Sequence, residues 1–131
     1  MVNRKNKLDF PKRASANRFK FSIIVPSTTK KDRKISTSVF NRRVTETKRF
    51  VNRLFGGSTI RTGQGSFLDN KGRLIKEKVV SVESFATKKD YLAKDKLLEA
   101  FLKSKKKTWG QESIGFVFES PKRPASSFHF I

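Results

Sequence analysis

The sequence predicts a single α+β domain whose elements follow the order β-α-β-β-α-β. Three observations lead to this class. The chain has 131 residues, which is the length of one domain. Two segments carry apolar residues three or four positions apart, the period of an amphipathic helix. Four other segments have strand character, and apolar residues alternate with other residues in the first and the last of them.

The predicted order is that of the ferredoxin-like, or split βαβ, arrangement. This fold has a four-stranded antiparallel sheet with two helices on one face, because right-handed crossovers place both helices on the same side. The other face of the sheet is then left to meet solvent or a partner.

The first strand is predicted at residues 19–25. Phe19, Phe21, Ile23 and Val25 lie on one side of it, and Pro26 ends it because proline cannot donate a hydrogen bond to a neighbouring strand. A polar, basic loop follows.

The first helix is predicted from an apolar stripe with spacings of 4, 3, 4 and 3 residues. Its members are Phe40, Val44, Thr47, Val51 and Leu54. Ser36 or Ser38 can cap its start by accepting a hydrogen bond from a backbone N–H. Gly56 and Gly57 follow the stripe, and glycine readily adopts the left-handed conformation that ends a helix.

Residues 58–86 predict a β-hairpin. Its first arm contains Gly63 and Gly65, which a strand tolerates where it is bulged or closely approached. Residues 69–72, with the sequence Asp-Asn-Lys-Gly, have the composition of a turn. The second arm is rich in valine, which favours a strand.

The second helix is predicted to begin at Thr87, because Thr87 and Asp90 resemble a capping box. Its apolar face comprises Tyr91, Leu97, Leu98, Phe101 and Leu102. It ends near Gly110 after a run of lysines, which the negative end of the helix dipole favours. The last strand carries three apolar residues on one side: Ile114, Phe116 and Phe118.

Positive charge dominates the composition. The chain has 31 Lys and Arg against 11 Asp and Glu, a formal net charge of +20 at pH 7. Residues 1–18 contain six of these cations and one acid, and residues 120–131 contain two cations and no acid. We therefore expect a basic N-terminal extension at 1–18, a folded domain at 19–119 and a C-terminal extension at 120–131.

The composition also restricts the chemistry. The chain has no Cys, which excludes disulfides, thiolate metal sites and cysteine nucleophiles, and His129 is its single histidine. Glu77 and Glu83 share a side of one strand but are separated by about 20 Å, too far to hold one metal ion. We therefore expect no catalytic residues, no metal site, no cofactor and no small-molecule substrate.

The candidate binding residues are cations, grouped in the two extensions, the first loop, the first helix and the end of the second helix. So many cations with so few counter-charges repel one another unless a polyanion neutralises them. The alternative is that the helical cations only form solvated faces. The candidates are Arg4, Lys5, Lys7, Lys12, Arg13, Arg18, Lys30, Lys31, Arg33, Lys34, Arg42, Arg49, Arg53, Lys103, Lys105, Lys106, Lys107, Lys122 and Arg123.

Two aromatic features admit a more specific interpretation. Residues 115–118, Gly-Phe-Val-Phe, resemble the core of the aromatic RNA-recognition consensus, but they lie in the last predicted strand instead of the third. Trp109 follows the lysine run and could stack on a base. We interpret Trp109, Phe116 and Phe118 as core residues, because buried aromatic side chains dominate small cores.

The predicted function is that of a non-catalytic, RNA-binding structural component of a ribosome or ribosome-like ribonucleoprotein. In general composition the chain resembles ribosomal proteins, which combine compact domains with basic extensions, although it matches no motif of a particular ribosomal family. Its expected partners are nucleic acid, RNA in particular, and other proteins of the assembly. The alternatives are a DNA-binding or replication accessory protein of a virus or mobile element, or a small metal-dependent nuclease.

The sequence contains neither a secretory signal nor an apolar run of about 20 residues, so we expect no membrane partner. The expected location is intracellular, in a cytoplasm or inside an organelle with its own genome.

Overall fold

The computed structural model describes residues 18–29, 33–120 and 127–131. Within them the chain forms an α+β fold with helices α1 (Thr37–Phe55) and α2 (Lys88–Thr108). The strands are β1 (Arg18–Pro26), β2 (Thr28–Thr29), β3 (Arg33–Lys34), β4 (Thr59–Leu68), β5 (Leu74–Thr87), β6 (Gly115–Glu119) and β7 (Ser127–Phe130).

Five strands form one antiparallel sheet in the order β4-β5-β1-β6-β7, and β2 pairs with β3 separately. β1 is the central strand, and its Ile23 lies opposite Val82 of β5 and Phe116 of β6. The predicted hairpin is confirmed, since β4 and β5 pair without interruption. The paired residues run from Thr59 opposite Glu83 to Leu68 opposite Leu74.

The prediction of four strands in the main sheet was wrong, because β7 adds a fifth strand beside β6. The error has a physical cause. β7 is only four residues long and follows two prolines and two cations, which have the composition of a tail. The alternation of Phe128 and Phe130 with His129 is the one pattern in this segment that is typical of a strand. The division into a domain and two basic extensions stays a prediction.

The ends of α1 are set by the residues that the sequence singled out. Ser36 is the N-cap, and its hydroxyl accepts a hydrogen bond from the backbone N–H of Val39 at 3.2 Å. Gly56 ends the helix with a φ of 94°, and its N–H donates to the carbonyl of Asn52 at 2.8 Å. A side chain at that φ would be strained, which explains the glycine.

α2 begins and ends in a similar way. The hydroxyl of Thr87 accepts a hydrogen bond from the N–H of Asp90 at 3.1 Å. Lys105, Lys106 and Lys107 occupy the last turn, where the dipole favours cations. Trp109 follows the helix and is buried, which confirms its interpretation as a core residue.

The core lies between the two helices and one face of the sheet. Because Ile23 pairs with Val82 and Phe116, three neighbouring strands present apolar side chains on the same face. Burial of each such side chain contributes about 1.5–3 kcal/mol. The buried cluster contains Phe21, Ile23, Val25, Phe40, Val51, Val80, Val82, Leu98, Leu102, Trp109, Ile114 and Phe116.

One buried residue was absent from the predicted stripe of α1. Arg43 is 4% exposed, and its Nη1 donates to the carbonyls of Pro26 and Thr28, at 2.8 Å each. Its Nη2 donates to the carbonyl of Trp109 at 3.1 Å. Burial lowers the pKa of Arg43, and the charge of Glu77 opposes that shift. The guanidinium thus ties the end of β1 to the end of α2.

Neither helix in the described part of the chain combines the length and the hydropathy that crossing a membrane requires.

Candidate ligand-binding cleft

The candidate cations fall into two sets. Ten lie in segments whose side chains are outside the described residues: Arg4, Lys5, Lys7, Lys12, Arg13, Arg18, Lys30, Lys31, Lys122 and Arg123. The described ones are exposed or half-buried at the surface of β3, α1 and α2: Arg33, Lys34, Arg42, Arg49, Arg53, Lys103, Lys105, Lys106 and Lys107.

Three of the described candidate cations lie together. Arg49, Arg53 and Lys105 border a groove between the two helices. Lys105 is paired with Glu46 at 3.0 Å, and Lys103 with Glu99 at 3.3 Å. Their assignment as binding residues stays a prediction.

A cleft of about 320 Å³ lies between α2 and the strands β6 and β7. The helix contributes residues at positions i, i+4, i+7, i+8 and i+11, which share one face because a turn takes 3.6 residues. These residues are Tyr91, Asp95, Leu98, Glu99 and Leu102.

The strands form the opposite wall. Phe116 and Phe118 point to the same side of β6, and His129 of β7 lies directly opposite Phe116. Beyond β7, Ile131 exchanges two backbone hydrogen bonds with Ile114, at 3.0 and 3.2 Å. The C-terminal residues are therefore part of the wall of the cleft.

Aromatic rings build much of the cleft. The ring centroid of Tyr91 lies 5.1 Å from that of Phe118 and 5.7 Å from that of Phe19. Phe19 and Phe118 meet edge to face at 5.1 Å. Such pairs are favourable beyond the apolar area that they bury, so the aromatic wall is firmly held.

The charge of the cleft is opposite to that of the chain. Of the 131 residues 31 are Lys or Arg, yet among the described residues neither type lines the cleft, whereas Asp95 and Glu99 both do. Burial, followed by the charge of Asp95, raises the pKa of Tyr91. The Tyr91 phenol therefore stays protonated at neutral pH and is available as a hydrogen-bond donor.

The cleft has the features of a small-molecule site. Ligand pockets occupy about 300–1,000 Å³ and are mostly apolar with a few polar groups. Two carboxylates favour a positively charged ligand, and aromatic faces favour stacking of a flat ring. Among the described residues, no group of three His, Cys, Asp or Glu side chains could hold a metal ion.

Sequence reasoning found part of this site. Tyr91, Leu98 and Leu102 were predicted on the apolar face of the second helix, but Asp95 and Glu99 were not singled out. One sequence feature indicates them: the two acids are four residues apart and therefore lie on the same face of the helix as Tyr91, in a chain with few acids.

The fold of the chain is similar to that of known structures. No family model matches the sequence, and no curated protein matches it. Two solved structures do share its fold. One is a phage SAM lyase in complex with S-methyl-5'-thioadenosine, with a TM-score of 0.60 and 14% identity, covering 88% of this chain and 92% of that one. The other is a phage SAM lyase in the apo state, with a TM-score of 0.57 and 15% identity, covering 86% of this chain and 89% of that one.

These neighbours overturn the predicted function. The fold is shared with an enzyme, and one of the two structures holds a small molecule. The predictions of a ribosomal RNA-binding component, of a protein without enzymatic activity, and of nucleic-acid partners without a small-molecule substrate were therefore wrong. The DNA-binding and nuclease alternatives are set aside with them. The physical reason is that net charge is a property of the whole chain and does not reveal a cleft of opposite charge.

Proposed function

We propose that the chain binds S-adenosylmethionine (SAM) in the cleft between α2 and β6–β7 and cleaves it to S-methyl-5'-thioadenosine. One observation carries the proposal. In a chain of net charge +20, whose fold resembles a phage SAM lyase, the described part of the cleft wall combines two carboxylates and three aromatic rings without a lysine or arginine.

The carboxylates would select for the charge of SAM. SAM carries a sulfonium and an ammonium group, and a strongly basic protein repels such a ligand over most of its surface. At a partly exposed site, an ion pair between a carboxylate and a cation contributes about 1 kcal/mol. Asp95 and Glu99, of which Glu99 also pairs with Lys103 at 3.3 Å, thus make this cleft more favourable for a cation than the rest of the surface.

The proposed reaction needs neither water nor a cofactor. The bond between the sulfonium sulfur and Cγ of the amino-acid chain breaks, and its electron pair returns to sulfur as the neutral thioether of S-methyl-5'-thioadenosine. Cγ then gains a bond to the substrate's own carboxylate oxygen, giving a lactone.

The cleft provides different surroundings for the two charges of SAM. The ammonium group keeps its charge throughout the reaction, so pairing it with Asp95 or Glu99 supports binding without opposing the chemical step. The sulfonium loses its charge as the bond breaks. Apolar rings such as Tyr91 and Phe118 favour that loss, because they stabilise a localised charge less than water does.

The test is to incubate the purified chain with SAM and to measure S-methyl-5'-thioadenosine by liquid chromatography and mass spectrometry. We expect product to form in proportion to protein, and Asp95→Asn and Glu99→Gln to reduce its rate. Glu119→Gln is the control, because Glu119 lies on β6 outside the cleft and is paired with Lys20 at 3.7 Å. If neither SAM nor S-methyl-5'-thioadenosine binds in calorimetry, the proposal is wrong.

We also propose that the core of the fold has the ferredoxin-like connectivity. The strand order β4-β5-β1-β6 supports this, as does the position of α1 between β1 and β4 and of α2 between β5 and β6. The pair β2–β3 and the edge strand β7 would then be additions to that core.

A further inference from the structure

A second concave surface lies between the two helices, on the side away from the sheet. We call it the interhelical groove, and its volume is about 540 Å³. Its border and floor include Arg49, Phe50, Arg53, Leu97, Phe101 and Lys105. None of these residues belongs to the cleft of the proposed function.

The groove follows from the antiparallel packing of the helices. Glu46 of α1 pairs with Lys105 of α2, and Phe50, one turn further along α1, meets Phe101, one turn back along α2. The two rings stack with centroids 4.0 Å apart and an angle of 10° between their planes. The stack forms the floor of the groove between the two helices.

The floor exposes apolar surface next to charge. Leu97 borders the groove with 56% of its surface exposed, and Phe50 and Phe101 are only half-buried. An apolar patch with a polar border is a common mark of a protein interaction site.

The border on α1 is cationic. Arg49 and Arg53 are exposed and one helical turn apart, so their charges repel each other. Neither forms an ion pair with another residue in the described part of the chain. The charge of Lys105, by contrast, is already balanced by Glu46 at 3.0 Å. An anionic partner would relieve the repulsion between the two arginines.

We propose that the interhelical groove binds an acidic amphipathic helix of a partner protein. Two antiparallel helices leave a groove into which the ridge of a third helix packs. The partner's apolar side chains would contact Leu97 and the Phe50–Phe101 floor, and its carboxylates would pair with Arg49 and Arg53. The net charge of +20 would speed the encounter with an acidic partner.

The apolar floor favours a protein helix over a polyphosphate chain. Phosphate contacts need cations but no exposed leucine. Bases stack on free aromatic faces, whereas Phe50 and Phe101 each use one face on the other.

A synthetic peptide tests this inference. The probe is a fluorescent peptide of about 18 residues, long enough for a helix, with leucines along one face and glutamates beside them. A scrambled peptide of the same composition keeps the charge but loses the apolar face. Anisotropy titration should show saturable binding of the first peptide and weaker binding of the second.

Matched variants locate the binding. Leu97→Asp and Arg49→Glu/Arg53→Glu should each weaken peptide binding by about tenfold or more, as expected for anchor residues. Leu92→Asp and Arg42→Glu should change it by about twofold or less, since surface changes away from a site have small effects. Leu92 is as exposed as Leu97, at 55%, and both controls lie on the same helices outside the groove.

Three results would overturn the inference: no peptide binding at concentrations on the order of 1 mM, equal binding of the scrambled peptide, or equal effects of the groove and control variants. Tighter binding of a single-stranded oligonucleotide of equal charge, with the same dependence on the groove residues, would assign the groove to nucleic acid. Formation of S-methyl-5'-thioadenosine should be unchanged in the groove variants, so this inference and the proposed function can fail independently.

Discussion

The ring of Tyr91 lies 5.1 Å from the ring of Phe118, centroid to centroid, and this contact joins α2 to β6 beside the cleft. Tyr91 therefore has two separable parts. Its ring supports the aromatic wall, and its phenol is the polar group whose pKa is raised by burial and by Asp95.

Tyr91→Phe should separate these two parts. The ring contacts remain, so the thermal unfolding temperature should change little. Loss of one hydrogen bond to the substrate, about 1–1.5 kcal/mol, should lower kcat/KM for SAM cleavage by about tenfold. The measurement is steady-state formation of S-methyl-5'-thioadenosine. Tyr91→Leu is the comparison, because it should lower stability as well; an unchanged rate in Tyr91→Phe would exclude a role for the phenol.

Tyr91 should also make stability depend on pH in the alkaline range. Its pKa is raised in the folded state above the value of 10.0, so the folded state holds the proton more tightly than the unfolded state. The resulting stabilisation is fully present below pH 10 and is lost as the pH rises through the folded-state pKa. Urea unfolding between pH 8 and pH 11 measures this, and the decrease should be smaller in Tyr91→Phe.

Arg43 should be the most important charged residue for stability. Arg43→Ala removes the charged donor that the carbonyls of Pro26, Thr28 and Trp109 share, and hydrogen bonds to charged groups contribute about 1.5–3 kcal/mol. The carbonyls of Thr28 and Trp109 keep a second donor each, in the side chains of Gln111 and Thr29. We expect a loss of about 3 kcal/mol in the free energy of unfolding. Arg42→Ala, an exposed neighbour, should cost less than about 0.5 kcal/mol. Similar losses in both variants would contradict a special role for Arg43.

Gly56 and Gly57 provide a second matched pair. Gly56→Ala forces a side chain into the left-handed region at a φ of 94° and should cost about 1–2 kcal/mol. A Cβ at Gly57 meets nothing within 4 Å, and its φ is not in that region, so Gly57→Ala should be neutral or slightly stabilising. Thermal unfolding of both variants decides between local strain and a general need for glycine.

These residues also show what the sequence could predict. The helix ends were predictable because Ser36, Gly56 and Thr87 act through their immediate neighbours in the chain. The hairpin was predictable because a local turn at Asp69 joins its arms, and Asp69 accepts hydrogen bonds from the N–H groups of Lys71 and Arg73.

The parts that sequence reasoning missed depend on distant contacts. Arg43 can be buried because carbonyls from two distant segments accept its hydrogen bonds. Pro26 and Thr28 lie 17 and 15 residues away in the chain, and Trp109 lies 66 residues away. The cleft exists only because β7 pairs with β6 and brings His129 opposite Phe116. Local sequence patterns do not contain this information. The high net charge favoured an interpretation based on the cations, which leaves out Asp95 and Glu99 of α2.

The charge of the cleft leads to a final prediction about substrate and product. The double variant Asp95→Asn/Glu99→Gln should weaken binding of SAM, which carries a sulfonium and an ammonium group, much more than binding of S-methyl-5'-thioadenosine, which carries neither. Removing two carboxylates at a partly exposed site, each worth about 1 kcal/mol, should reduce SAM affinity by about 10- to 30-fold. Calorimetry with both ligands measures the difference, and raising the salt concentration should weaken SAM binding in the original protein more than in the variant. Equal losses for both ligands would mean that the two carboxylates shape the cleft and do not select for charge.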